Sequence, residues 1–173
     1  SADDVSHHAQ SLNEHFKRTG QNAVAIVGTE SAAKKWGIHY GLPNTQPLVS
    51  LIIPTKNNLT LLRQCVTSIL LKTEYANFEI LIVDNGSDQN DTLDYLRQIA
   101  DTPKVRVIRD NYAFNYSALN NSAVALSKGE IIAFVNDDIE VITPNWLSDM
   151  VAHALRPGVG AVGARLWYPD MKL

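Results

Sequence analysis

The amino-acid sequence predicts an α/β fold: a doubly wound, mostly parallel sheet with helices on both faces. Runs that are apolar throughout recur at Leu48–Ile53, Phe78–Val83, Val105–Ile108 and Ile131–Val135, as expected of strands buried on both sides. Between them lie stretches whose apolar residues fall at helical intervals, such as Leu62, Val66, Ile69 and Leu70. Right-handed crossovers through such helices wind a sheet in both directions from its first strand.

Taken in order, residues 1–46 read as a preface and linker. A helix over Leu12–Arg18 places Leu12, His15 and Phe16 on one face and stops at Gly20. Ala23–Val27 is a short apolar strand ending at Gly28, and Gly41–Pro47 is a linker by composition. The regular part, residues 47–173, opens with the Leu48–Ile53 strand, which Pro54 ends. A helix over Leu59–Leu71, the Phe78–Val83 strand and a polar helix near Thr92–Ala100 follow. Next come the Val105–Ile108 strand, a helix over Tyr116–Ser127 and the Ile131–Val135 strand. Thr143 and Pro144 form an N-cap and first-turn proline opening a helix to about Leu155. Pro157 and Gly158 then turn the chain into a strand-like run, Ala161–Trp167.

Composition narrows the function. Among 173 residues, 45% hydrophobic and 19% charged is ordinary globular chemistry, and a net charge of −3 argues against a nucleic-acid partner. The single Cys65 excludes an intrachain disulfide and a cysteine zinc site, and its apolar helical setting makes it a buried, inert thiol. No apolar stretch is long enough to span a bilayer, and the acidic Ser1–Asp4 start is not a signal peptide. The absence of an initial Met and the end at Lys172 and Leu173, just after a strand-like run, lead us to expect a piece of a longer protein. No glycine-rich dinucleotide motif follows the Leu48–Ile53 strand, Gly28–Ser31 lacks the lysine of a phosphate loop, and no serine-hydrolase elbow occurs. His7, His8, His15, His39 and His153 show no metal-ligand spacing.

Ligands of open α/β sheets bind beyond the carboxyl ends of the strands. Those ends carry Pro54, Thr55, Lys56 and Asn57; then Asp84, Asn85, Gly86 and Ser87; then Arg109, Asp110 and Asn111; and finally Asn136, Asp137 and Asp138. The adjacent carboxylates Asp137 and Asp138 repel unless a cation joins them, and a hard divalent ion held with substrate phosphates fits. The competing reading is a plain turn. Asp84–Ser87 is likewise either turn chemistry or an acceptor for a ring N–H. Lys56 and Arg109 are phosphate or base partners, or solvated charges. Tyr112, Phe114 and Tyr116 stack on a base, or pack the core.

The runs Pro47–Asn57, Phe78–Ser87 and Asn115–Ile132, with Asn136, Asp137 and Asp138 in the place of a DxD element, resemble family 2 glycosyltransferases of the GT-A, Rossmann-like fold. The order and spacing hold from Leu48 to about Tyr168. The lead-in resembles the bacterial surface-polysaccharide, rhamnosyltransferase-like branch. The resemblance implies inverting transfer of a sugar from a UDP- or dTDP-linked donor to a glycan or lipid-linked acceptor, with Mg²⁺ or Mn²⁺ as cofactor. By position, Pro54 and Thr55 contact the nucleoside, Asp84 accepts from the pyrimidine N3–H, and Asp137 lies near the ribose and diphosphate. Asp138 coordinates the metal. Asn57, Asn85, Arg109, Asn115 and Asn121 complete the expected nucleotide-sugar-binding set.

Two departures stand out. Asn136 replaces the first acid of the DxD element, and Asn115 stands where some relatives carry a base-contacting arginine. The family's general base comes from a later segment, so catalysis and acceptor binding are expected beyond Leu173, with the isolated chain inactive. Residues 47–173 are therefore expected to be a nucleotide-sugar-binding domain, incomplete at its C-terminus. The expected location is the cytoplasm, at the inner face of the membrane, with peripheral association through the missing part. The alternative is a non-catalytic nucleotide-sugar-binding or assembly module of a larger glycosyltransferase, which Asn136 favours.

Overall fold

The computed structural model describes residues 2–30 and 33–168; Ser31, Ala32 and both extreme termini, including the Lys172–Leu173 end, lie outside it. The chain forms two compact units. One comprises the described residues up to Asn44 together with those from Ser148 on, and the other is Thr45–Leu147.

In the first unit, α1 (Ala2–Thr19) packs on a hairpin of β1 (Ala23–Glu30) and β2 (Ala33–Tyr40). The two strands pair antiparallel from Ala23 opposite Tyr40 to Glu30 opposite Ala33. Ala9, Leu12 and Phe16 of the helix meet Ala23, Ala25 and Ile38 of the hairpin. Asn13 fixes the register between helix and strand, since its amide donates to the Ala25 carbonyl at 3.0 Å and accepts the Ala25 N–H at 2.7 Å. The helix starts at Ala2, well before the expected Leu12, because its polar N-terminal half carries little apolar periodicity to read. The second hairpin strand goes beyond the sequence expectation, since Lys34, Lys35 and Gly37 dilute the β pattern there.

The second unit holds the predicted parallel sheet. Its strands are β3 (Val49–Thr55), β4 (Phe78–Asp84), β5 (Val105–Arg109) and β6 (Ile131–Phe134), in the spatial order β5-β4-β3-β6. All three pairings are parallel. The crossovers are α2 (Leu59–Lys72), α3 (Asn90–Ile99) and α4 (Tyr116–Leu126). Leu51, Ile52, Ile53, Ile80, Leu81, Ile82 and Val83 are all fully buried, so both faces of the central strands are covered. On one face Ile52, Leu81 and Val83 pack against Leu119 and Ala123 of α4. Removing such side chains from water contributes about 1.5–3 kcal/mol each, which is why continuous apolar runs, and not alternation, mark these strands. Pro54 is tolerated near the end of central β3 because β6 last pairs at Ile52–Phe134, short of the missing N–H.

The last helix, α5 (Trp146–Ala154), begins later than Thr143 and Pro144 led us to expect. The Trp146 N–H bonds the Thr143 carbonyl at 3.2 Å, so these residues form a tight turn ahead of the helix. The run Ala161–Trp167, expected as a strand, forms no regular element. Gly160 and Gly163 weaken it, and among the described residues no neighbouring strand supplies a ladder.

Candidate functional site at the carboxyl edge of the sheet

The strand order places β4 and β5 to one side of β3 and β6 to the other. The direction of winding therefore reverses between β3 and β6, the position at which open α/β sheets bind ligands. The Thr55 hydroxyl spans this crevice, donating to Asp137 Oδ2 at 2.7 Å and linking residues 82 apart in sequence. The Asn58 amide donates to Asp137 Oδ1 at 3.3 Å. Asn58 is the N-cap residue of α2, yet its side chain makes no cap bond because it is turned to Asp137 instead.

Asp137 therefore enters the site with both oxygens engaged, whereas neighbouring Asp138 is exposed. The segment bearing them is moored along α2. Cys65 Sγ meets the Asn136 carbonyl at 3.5 Å, the Ser68 hydroxyl accepts from the Val141 N–H at 3.0 Å, and Lys72 pairs with Glu140 at 2.6 Å. The Trp146 indole donates to the Thr73 hydroxyl at 3.0 Å. Burial, then the negative charges of Asp137 and Asp138, push the Cys65 thiol up to about 12. The expected inert thiol is thus present, lying beneath the acidic loop.

Next along the edge, Asp84 pairs in register with Thr55 and is only 1% exposed. Its Oδ1 accepts the Ser87 N–H at 2.8 Å and its Oδ2 accepts Arg109 Nη1 at 2.8 Å, while Arg109 Nη2 donates to the Ser87 carbonyl at 2.9 Å. Such a buried carboxylate needs these partners. Two of its roughly four acceptor positions are filled, which leaves capacity for a ligand donor. The Arg109 side chain is half-exposed, so the pair lies at the border between the buried sheet edge and solvent.

The remaining expected residues fall into structural braces and open surface. Asn85 is buried, and its amide donates to the Asp110 and Tyr112 carbonyls, both at 2.9 Å, so it pins the loop after β5. Gly86, at φ 75°, lies so close to Asn111 that a Cβ there would come within 2.4 Å of that side chain's oxygen. Tyr112, Phe114 and Tyr116 are exposed on this loop and at the start of α4, which removes core packing as their role. Asn115 caps α4, accepting the Ala118 N–H at 3.0 Å. Asn121 is exposed on α4, whereas its neighbour Asn120 is buried, with an amide oxygen that finds no partner among the described residues. Pro54 is half-buried at the strand end, Lys56 is exposed, and Asn57 is bound into neighbouring loops.

Sequence reasoning passes over Asn58, Ser87 as an acceptor, and Asp88. Asn58 and Asp88 each lie one residue past the strand-end stretches it inspects and Ser87 closes one of them, all near helix starts, where polar side chains serve as caps or braces.

No group of three acidic, histidine or cysteine side chains capable of holding a metal occurs among the described residues. An exposed Asp138 beside an engaged Asp137 fits a Mg²⁺- or Mn²⁺-type ion, which takes one or two carboxylates and completes its shell with substrate phosphates and water.

A profile described as glycosyl transferase family 2 matches residues 50–173. The chain is similar to an uncharacterized protein, y4gI, of Sinorhizobium fredii, 52% identical over 165 residues, covering 95% of this chain and 18% of that protein. It is also similar to the O-antigen biosynthesis protein RfbC of Myxococcus xanthus, 40% identical over 161 residues, covering 93% of this chain and 12% of that protein. The chain thus spans less than a fifth of either relative. Among solved structures, the mannosyltransferase PcManGT of Pyrobaculum calidifontis, in complex with GDP-Man and Mn²⁺, aligns with TM-score 0.66 at 23% identity. That alignment covers 76% of this chain and 39% of the mannosyltransferase, and it establishes the shared fold.

Proposed function

The chain belongs to glycosyl transferase family 2, and from that premise we propose that its strand-end rim binds a pyrimidine nucleoside diphosphate sugar together with a divalent cation. The observation that supports this most is the convergence of Thr55, Asp84, Arg109 and Asp137 on one edge, bridged across the crevice by the Thr55–Asp137 hydrogen bond. Asp84 accepts the pyrimidine N3–H from a UDP- or dTDP-linked donor, with Arg109 moving aside to the base's rim. Pro54 and Thr55 border the nucleoside. Asp137, held by Thr55 and Asn58, faces the ribose and diphosphate. Asp138 is the residue that would hold Mg²⁺ or Mn²⁺. That ion, when bound, neutralises the departing nucleoside diphosphate as a Lewis acid.

The reaction we assign to the larger protein is inverting transfer to a glycan or lipid-linked acceptor in cell-surface polysaccharide synthesis, at the cytoplasmic face of the membrane. No helix of the described residues is long and apolar enough to cross a bilayer, which fits a peripheral role for this portion. The resemblance implies a general base from a segment later than the rim, which would take the proton of the attacking hydroxyl, and residues 1–173 alone are expected to bind donor without transferring sugar. Exposed Asn136, an amide where the DxD element starts with an acid, favours a second reading, a non-catalytic donor-binding module.

Calorimetry with UDP and dTDP, with and without Mn²⁺, tests the proposal. We expect Mn²⁺ to strengthen nucleotide binding and Asp138→Ala to remove that gain. Because Asp138 is exposed, the substitution should change stability by no more than about 0.5 kcal/mol. Nucleotide affinity identical with and without the ion would support the module reading. Unchanged Mn²⁺ dependence in Asp138→Ala would remove Asp138 from the site.

A further inference from the structure

Among the described residues, Asn57 is the only non-glycine residue with positive φ, at 56°. Asparagine tolerates this left-handed conformation better than most side chains, and such residues concentrate where surrounding structure over-determines them. The surroundings here are four hydrogen bonds to one neighbouring loop. The backbone N–H donates to the Ser87 hydroxyl at 2.9 Å, and Nδ2 donates to Asp88 Oδ1 at 2.7 Å. Oδ1 accepts from the N–H groups of Asp88 at 2.9 Å and Gln89 at 3.1 Å. Both lone pairs of the amide oxygen are filled, and one amide proton is used.

Those contacts also fix the entry into α3, whose N-cap residue Gln89 makes no side-chain cap bond. Asn57, from the adjacent strand-end loop, binds the N–H of Gln89 and that of Asp88 just before it. Ser87, held by Asn57, in turn donates its N–H to Asp84. Two residues before Asn57, Thr55 binds Asp137. The left-handed turn thus joins the two ends of the rim.

We propose that Asn57 is a positioning residue, a staple that sets the spacing between the base-receiving Asp84 and the diphosphate-side pair Thr55–Asp137 before any ligand arrives. This replaces direct nucleotide contact as its role and rests on the rim being the nucleotide site. Holding binding groups in advance removes the ordering that would otherwise weaken association.

Three variants test it, with UDP and dTDP in the presence of Mn²⁺ as probes and circular dichroism confirming the fold. Asn57→Gly keeps the turn, since glycine adopts positive φ freely, and deletes the side-chain bonds. It should lower nucleotide affinity about tenfold or more. Asn57→Asp sets a carboxylate against that of Asp88. Its affinity should be poor at pH 8 and recover relative to the wild type towards pH 5, as the two acids come to share a proton. Asn57→Asp combined with Asp88→Asn restores a donor–acceptor pair of reversed polarity and should regain most of the wild-type affinity at pH 8. Wild-type affinity in Asn57→Gly, or an Asn57→Asp affinity whose ratio to wild type is flat across this range, overturns the staple while leaving the nucleotide site standing. If the wild-type chain binds neither nucleotide, the site and the staple fall together.

Discussion

At the scale of single residues, an inconspicuous acid away from the rim is held by three partners. Glu79 of β4 is 8% exposed and accepts from the Ser50 hydroxyl at 2.7 Å, the Lys128 N–H at 2.7 Å and Arg106 at 3.2 Å. Burial alone would raise its pKa, but the hydrogen bonds from Ser50, Lys128 and Arg106 outweigh it and hold the group below its ordinary value of 4.5. A carboxylate depressed in the folded state contributes stability that is complete above its unfolded pKa and is lost as pH falls through the folded value. Glu79→Gln should therefore cost about 1–3 kcal/mol near pH 7. The gap to wild type should narrow below about pH 4.5, as followed by urea denaturation across pH. A gap that widens on acidification would contradict the assignment. Residue roles of this kind are only partly legible in the sequence. The placing of Asp84, Asp137 and Asp138 at strand ends is readable because each closely follows a buried apolar run. That Asn85 pins a loop, Asn115 caps a helix and Asn57 braces α3 is not readable, because an asparagine serves ligand and backbone with the same amide. Only the folded chain shows which donors are already spent.

At the scale of elements, strands β3 to β6 and helices α2 to α4 follow from periodicity almost to the residue, since each buries a continuous or helically spaced apolar face. What periodicity misses are elements whose order comes from a neighbour: the Lys-rich second strand of the hairpin, and the polar first half of α1. The start of β6 shows how tightly the crossovers are seated. Gly129 donates to the Ser50 hydroxyl at 2.8 Å, and a Cβ there would lie 2.6 Å from the Ser50 nitrogen and 2.8 Å from the Leu48 carbonyl oxygen. Both of those are backbone atoms of, or next to, the central strand and have little room to yield. Gly129→Ala should thus destabilise the protein by about 1–3 kcal/mol by overpacking, read as a lower denaturation midpoint with an unchanged m-value. A neutral result would mean that the turn before β6 is looser than described.

At the scale of the molecule, Cys65 offers a natural reporter. It is fully buried, and burial pushes its thiol up to about 12, so it stays protonated at pH 8. We expect no measurable labelling by a thiol reagent in native buffer, and labelling that rises with urea in step with loss of secondary structure. Rapid native labelling would show that α2 opens independently of the sheet. The two compact units are not legible in the pattern, because a unit gathers segments far apart in sequence, as Ser148 onward with the N-terminal residues. One consequence follows from the bond between Thr55 and Asp137. Its partners are made 82 residues apart, so during synthesis the first half of the rim waits, incomplete, until the last strand has left the ribosome. Closing so long a loop is a late event in assembly. On the proposed reading, donor capture belongs to the finished sheet, and a nascent chain stalled before Asp137 emerges should be blind to nucleotide.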